Sequence, residues 1–449
     1  MNSEKAKTLA PLLMGLGRRV RQHIEEQIAK GLLQPERIRV FRYSFTRFEY
    51  GENGLGNYRE EIQEIEKEEW GRAWLRGVES TTESDEWRAL ADEFDNTQPL
   101  WSFVVCLASK RLNRGELTDT DLEAIRDDFL AESQGQPIHY QLDVHISGLS
   151  VMTDPLSMRL GDGSVRLRPT RPEDIAVDRP VSMGQGFLEN FDAVAVYDTT
   201  AISVGQAQKK IEWLLALFRL ATSGSVQNSS YTIDSNSCRF PGMPVRLVCG
   251  MMGGKHRVGR VNGANQDRFI ATCERVGKEL PSDIAEEERS KVDPLAVALH
   301  RFSDALFTRG VVERRIASAV MGVESLYMSD KDVIGYKLAM RLAKSLGYLG
   351  FEPMKVKKTV GDAYTIRSKY VHGDSLSGSE MKKMSDRYSG LDSLLSDCLT
   401  YLRSALIFAL LGVKGKEQRI ALIDESLIDD SKAAELRRAL DAIRDIAGP

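Results

Sequence analysis

The chain has little of what metal centres and disulfide frameworks are built from. Its 449 residues hold five cysteines, Cys106, Cys238, Cys249, Cys273 and Cys398, with no C-x-x-C and no histidine at zinc-finger spacing. That argues against a structural zinc site, and an odd, scattered set fits a reducing compartment where cysteines act as small apolar residues. Histidine is almost as scarce, at six. His139, His145, His256 and His300 have no mutual spacing that sets two ligands on one helix face, and neither H-E-x-x-H nor G-x-S-x-G occurs. Metal-dependent and serine hydrolysis both recede, and neither a metal nor a cofactor is expected.

Excess positive charge is also missing. Lys and Arg number 61 against 65 Asp and Glu, a formal net charge of −4, so the chain cannot coat nucleic acid through bulk charge. Any RNA contact must be local. Long hydrophobic runs are absent too. LAPLLMGLG at 9–17 is followed by Arg18, Arg19 and Arg21 instead of a small-residue cleavage site, and ALIFALLGV at 405–413 falls well short of the roughly 18 residues of a spanning helix. The expectation is a cytoplasmic protein with no membrane segment.

What is present is an ordinary globular balance, 42% hydrophobic and 28% charged, in a chain long enough for two or more domains. Residues 12–31 repeat apolar positions at helical spacing, while RIRVFRYSFTRFE at 37–49 alternates and predicts a strand. The acidic stretch within 51–98 reads as a solvated helix, PLWSFVVCLA at 99–108 as a strand, and 118–133 as a helix with Thr118 or Thr120 as N-cap. Strands are expected at 138–150, 164–169 and 192–199, a long amphipathic helix at 203–224, and extended structure over 229–262. Past Pro281 helical periodicity takes over, predicting helices near 293–309, 311–328, 332–347, 354–372, 380–411 and 431–446. The fold class is therefore α+β, a mixed N-terminal region over 1–285 followed by an all-helical bundle over 286–449.

Several motifs fall away on inspection. CGMMGGKHRVG at 249–259 lacks the first glycine of a phosphate loop and puts His256 where Ser or Thr belongs, so it reads as a turn between strands. Tyr43, Phe45 and Phe48 in the first strand read as core before they read as base-stacking residues. A phosphotransferase would need paired carboxylates for Mg²⁺, and Asp143 with His145, or Asp162 with Asp174, lacks a convincing strand placement.

RSKYVHGD at 367–374 carries more. Arg367 and His372 bracket four residues late in a helix that Gly373 ends. Metal-free RNA cleavage needs a base for the 2′-hydroxyl proton, an acid for the departing 5′-oxygen and a cation for the charge growing on phosphorus. Imidazole titrates near neutrality and serves in proton transfer, and guanidinium grips phosphate through a planar fork. Spacing alone proves nothing, because Arg18 and His23 repeat it in the first helix, on an ordinary polar face with Gln22 and Glu26. Context separates the two, since only the later pair sits in an all-helical region after a long apolar-periodic helix.

The stretch from about 311 to 412, with RRIASAVMGVESLYM, YKLAMRLAKSLGYLG and VGDAYTIRSKYVHG, resembles the Apea-like branch of the HEPN superfamily. The resemblance implies a helical domain whose R-x4-6-H motif, here Arg367 and His372, forms a metal-independent endoribonuclease site assembled across a homodimer. Relatives often place Asn after the arginine, where this chain has Ser368, a weaker supporting group. Glu324 is the acid placed to orient His372 or pair with Arg367, and Lys369, with Lys344, is a source of local positive charge. Relatives with this layout act in prokaryotic antiphage defence or as toxins, which makes residues 1–285 a sensor or substrate-selecting module awaiting a phage-derived or nucleic-acid trigger. The competing class is a non-catalytic dimerisation or nucleotide-binding module in which Arg367 serves only as a salt-bridge partner. The ribonuclease expectation requires Arg367 and His372 to converge on one phosphodiester in a cleft open to solvent.

Overall fold

A computed structural model describes residues 3–31, 44–51, 54–62, 81–94, 97–171, 192–237, 245–248, 257–282, 293–308, 310–329 and 332–449. The architecture is mixed α+β. By compactness the chain forms two units. One comprises Met1–Val144, Val196–Gln208 and Ser230–Cys249, and the other His145–Ala195, Lys209–Ser229 and Gly250–Pro449.

In the first unit, α1 (Ser3–Ala29) buries Leu9, Leu13, Leu16, Val20 and Ile24, the spacing of one helical face. It packs with α2 (Asp85–Ala91), α3 (Gln98–Arg114) and α4 (Asp119–Ser133). Ser84 caps α2 by accepting from the Trp87 amide at 3.1 Å. Thr118, not Thr120, caps α4, in a reciprocal box with Asp121. The strand expected at 99–108 is instead the body of α3. Its apolar residues run nearly all round the helix because Leu100, Phe103, Val104, Cys106 and Leu107 are all buried, and a helix buried on most faces imitates a core strand over ten residues. Pro99 at the first turn and the polar continuation to Arg114 are the helical signals. The Phe103 and Phe129 rings lie 5.2 Å apart, tying α3 to α4.

Of the acidic stretch expected as a solvated helix within 51–98, only the first three residues, Glu60, Glu61 and Ile62, are described, and they are strand. The hairpin β1 (Ser44–Gly51) and β2 (Gly54–Ile62) pairs antiparallel from Ser44↔Ile62 to Gly51↔Gly54, so the glycine- and asparagine-rich turn signal outweighs the acidic residues that follow it. Residues 37–43 and the rest of the acidic stretch, 63–70, lie outside the described residues, as does most of the glycine-rich loop, 249–256; of the side chains of Phe45 and Phe48 nothing is described.

The main sheet has the order β5-β6-β7-β3-β8-β9, formed by β3 (Ile138–Ser147), β5 (Leu156–Leu160), β6 (Gly163–Pro169), β7 (Ala193–Ala201), β8 (Gln227–Ser235) and β9 (Val245–Val248). A short strand β4 (Leu149–Val151) pairs in parallel with β10 (Gly259–Val261). The unforeseen β5 pairs antiparallel with β6 and buries Leu156, Met158 and Leu160 at period two. α5 (Val204–Thr222) carries the buried stripe Ala207, Ile211, Leu214, Leu215 and Phe218. A further unforeseen helix, α6 (Gln266–Gly277), sets Phe269 against Phe218 at 5.6 Å.

Every described element from Pro294 on is a helix. The elements are α7 (Pro294–Phe307), α8 (Val312–Tyr327), α9 (Ile334–Tyr348), α10 (Pro353–His372), α11 (Gly378–Tyr388), α12 (Leu391–Leu411), α13 (Lys416–Glu425), α14 (Asp430–Asp441) and α15 (Arg444–Ala447). The single helix expected over 380–411 is broken between α11 and α12, where Ser389 and Gly390 adopt φ of 57° and 115°. The helix expected over 431–446 is likewise two, and α13 was not foreseen. α12 is the one described helix long and apolar enough to cross a membrane by length and composition, with mean hydropathy 1.6, but 78% of that window is buried inside the protein. It is the bundle's core helix. α8 crosses it at Gly322, where a Cβ would stand 2.8 Å from Leu402 Cδ2.

Two buried arginines fix the end of α8. Arg419 is 1% exposed and donates to the carbonyls of Val413, Lys414 and Leu326; Arg341 donates to Tyr327 O at 2.8 Å and forms a fork onto Asp424. The last carbonyls of a helix have no intrahelical partners and carry partial negative charge, so cations there satisfy both needs. The same end of α8 carries Glu324.

Candidate active site

α10 presents the motif. Pro353 occupies its first position, Glu352 caps it by accepting from the Met354 and Lys355 amides, and Gly373 closes it with φ of 78°. Val356, Thr359, Val360, Ala363 and Ile366 face inward. Arg367 follows at the edge of that inner face and is half-buried, whereas His372 is the last helical residue and is exposed.

Arg367 Nη2 donates to Glu324 Oε2 at 3.0 Å, with the two side chains 22% and 15% exposed. The guanidinium also lies 5.7 Å from the centre of the Tyr364 ring. Burial pushes the Glu324 carboxyl above its usual range, and the Arg367 charge and hydrogen bond pull the other way. Glu324 Oε1 and Arg367 Nε are both buried without a hydrogen-bond partner, so the pair is only partly satisfied. Glu324 therefore meets Arg367 and not His372.

Arg367 and His372 are five positions apart on the helix, which sets their side chains about 140° apart around the axis and about 7.5 Å apart along it. One chain thus offers an open imidazole and a half-buried, paired guanidinium pointing in different directions, not the common solvent-facing cleft expected from the sequence. Ser368 is half-buried on the next position. Lys369 Nζ bonds Glu380 Oε2 at 2.6 Å, and Glu380 also closes the capping box of α11 with Ser377. The Lys369 bond, with those from Ser377, holds the Glu380 carboxyl down to about 2, so the Lys369 charge is engaged by α11. Lys344 lies over the Tyr348 ring at 5.2 Å. The earlier Arg-to-His spacing stays a polar face, since Arg18 pairs with Asp119 at 2.9 Å and Gln22 bonds Glu26.

The flank of α10 away from Glu324 opens a cleft of about 810 Å³ toward α11 and α12, which sequence reasoning missed. Lys355, Lys357, Lys358, Gly361 and Arg387 are among its walls. Asp362 pairs with Arg387 and accepts from the Tyr388 hydroxyl at 2.7 Å. Burial and the Asp362 bond push that phenol up to about 12, keeping it a neutral donor. Lys355 pairs with Asp397 at 3.2 Å. Only the density of lysines between 355 and 358 signals the cleft in the sequence.

No protein-family model, no curated protein and no solved structure matches the chain.

Proposed function

We propose that the chain is a metal-independent endoribonuclease of HEPN type that cuts RNA to 2′,3′-cyclic phosphate and 5′-hydroxyl ends. The observation that carries the reading is the solvent-open imidazole of His372 on the last turn of α10, five residues after an arginine held by a carboxylate on α8. His372 moves the proton and Arg367 stabilises the charge on phosphorus. The two side chains diverge within one chain, against the convergence required by the sequence reading, so the proposal depends on a second copy: the guanidinium of one subunit meets the imidazole of the other, and two imidazoles per dimer supply a base and an acid. Glu324 positions Arg367, while Ser368 and Lys369 line the approach. On this reading the helical domain is HEPN-like, residues 1–285 form the sensing or substrate-selecting module, the protein works in the cytoplasm, and its biological setting is prokaryotic antiphage defence or toxin action released by a phage-derived or nucleic-acid trigger.

One observation favours a second reading. The half-buried Arg367–Glu324 pair is what a non-catalytic dimerisation or nucleotide-binding module would use to hold its bundle together. Incubation with mixed RNA in EDTA separates the two, with and without candidate triggers, beside His372→Ala. The ribonuclease cuts and the variant does not, since removing the general acid–base group costs roughly 10²- to 10⁴-fold. RNA left intact in every condition gives the interaction module the better claim, and a fully active monomer in light scattering removes the shared site.

A further inference from the structure

Gly361 sits in the middle of α10, where glycine weakens a helix. At Gly322 and Gly335 a Cβ would collide with Leu402 or Tyr364, but one built at Gly361 meets nothing within 4 Å. Packing therefore does not require this glycine. It lines the wall of the 810 Å³ cleft with no side chain of its own, its carbonyl accepting from the Thr365 hydroxyl at 3.1 Å. Beside it, Lys355 and Arg387 are tied to Asp397 and Asp362, whereas Lys357 and Lys358 make no ion pair among the described residues. The Lys357 ammonium lies over one face of the Tyr336 ring, 5.7 Å from its centre, and Tyr336 is 60% exposed. Lys358, Thr365 and His372 are all exposed and recur every seven residues, so they form one stripe along the solvent side of α10, about 21 Å from end to end.

We infer that this stripe and cleft are the track of a single-stranded RNA. The strand leaves His372, follows α10, approaches the helix backbone closely at Gly361 and sets phosphates on Lys357 and Lys358, with the Tyr336 ring as a face for a base. Cations without a carboxylate partner among the described residues, next to an exposed aromatic ring, are the elements of single-strand binding, and a side chain at 361 would block the close approach. The inference rests on the ribonuclease reading and names the substrate path of that site.

The test is fluorescence anisotropy with a labelled single-stranded RNA in EDTA, titrated across salt on the His372→Ala background so that the RNA stays whole. Lys357→Ala with Lys358→Ala reduces the slope of log affinity against log salt by about 1.4, roughly 0.7 per phosphate released. Gly361→Leu weakens binding without lowering the melting temperature, the reverse of what a structural glycine does. An unchanged slope with unchanged affinity in both variants overturns the track, as does equal affinity for duplex RNA. Should the wild type cut RNA while both variants bind like the parent, the track alone falls. Should it cut nothing while binding follows the lysines and Gly361, the track stands and the ribonuclease reading falls.

Discussion

Replacing Arg367 with Ala should destabilise the helical bundle in a pH-dependent way. Breaking a fully buried pair costs about 3–5 kcal/mol, because a charge is left uncompensated, and an exposed pair is worth about 0–1 kcal/mol. The Arg367 and Glu324 side chains are 22% and 15% exposed, between those limits, which puts the loss near ~2 kcal/mol at neutral pH. For a unit of this size that is a fall in melting temperature of roughly 4–8 °C. Burial already raises the Glu324 pKa, and Arg367 opposes the rise, so the variant lifts it further. A carboxyl whose folded pKa is raised stabilises the protein below its unfolded value, about 4.3, and loses that contribution as pH climbs through the folded value. The penalty should thus be largest at neutral and alkaline pH and shrink as the pH falls toward 5. Calorimetry of Arg367→Ala, Glu324→Gln and the double variant between pH 5 and 8 reads it directly, and the double variant, with no charge left behind, should recover much of the loss. An equal loss at both ends of that range, or a double variant no better than Arg367→Ala, would refute the reasoning.

Arg419→Met should cost roughly 3–5 kcal/mol, because three carbonyls, including Leu326 O at the end of α8, lose their donor; a melting temperature near wild type would contradict it. Gly322→Val should lose about 1–3 kcal/mol through contact with Leu402, and the companion Leu402→Ala should relieve part of that clash in a double variant. Thr118→Ala should cost about 1 kcal/mol by removing the cap of α4, with hydrogen exchange rising first at its N-terminal amides.

Helices were legible wherever local chemistry marks an element's ends. Pro353 and Gly373 bracket α10, and a reciprocal box marks α4. What escaped depended on non-local packing. α3 reads as a strand because its burial on several faces erases the helical period, and β5 becomes a strand through pairing with β6, which its five residues do not announce. The break between α11 and α12 hangs on one serine and one glycine with positive φ. That break also hid two features of the site: Glu380 at the head of α11 takes Lys369 out of the free charge, and the cleft closes only where α11 turns into α12. Arg367, His372 and Glu324 could be singled out as residues, since an acid on an otherwise small and apolar face of α8 is conspicuous. The directions of their side chains could not, because spacing gives the angle on a helix but not which side the rest of the bundle covers.

The most direct test of the central claim uses one RNA oligonucleotide in two forms, all-ribose and with a single 2′-deoxy nucleotide at the cleavage position, incubated in EDTA with the wild type and with His372→Ala. A base-driven attack by the 2′-hydroxyl predicts cutting of the all-ribose form by the wild type alone, leaving a 2′,3′-cyclic phosphate, and no cutting of the deoxy form. Cleavage that needs a divalent metal, survives the 2′-deoxy substitution or persists in His372→Ala would contradict it.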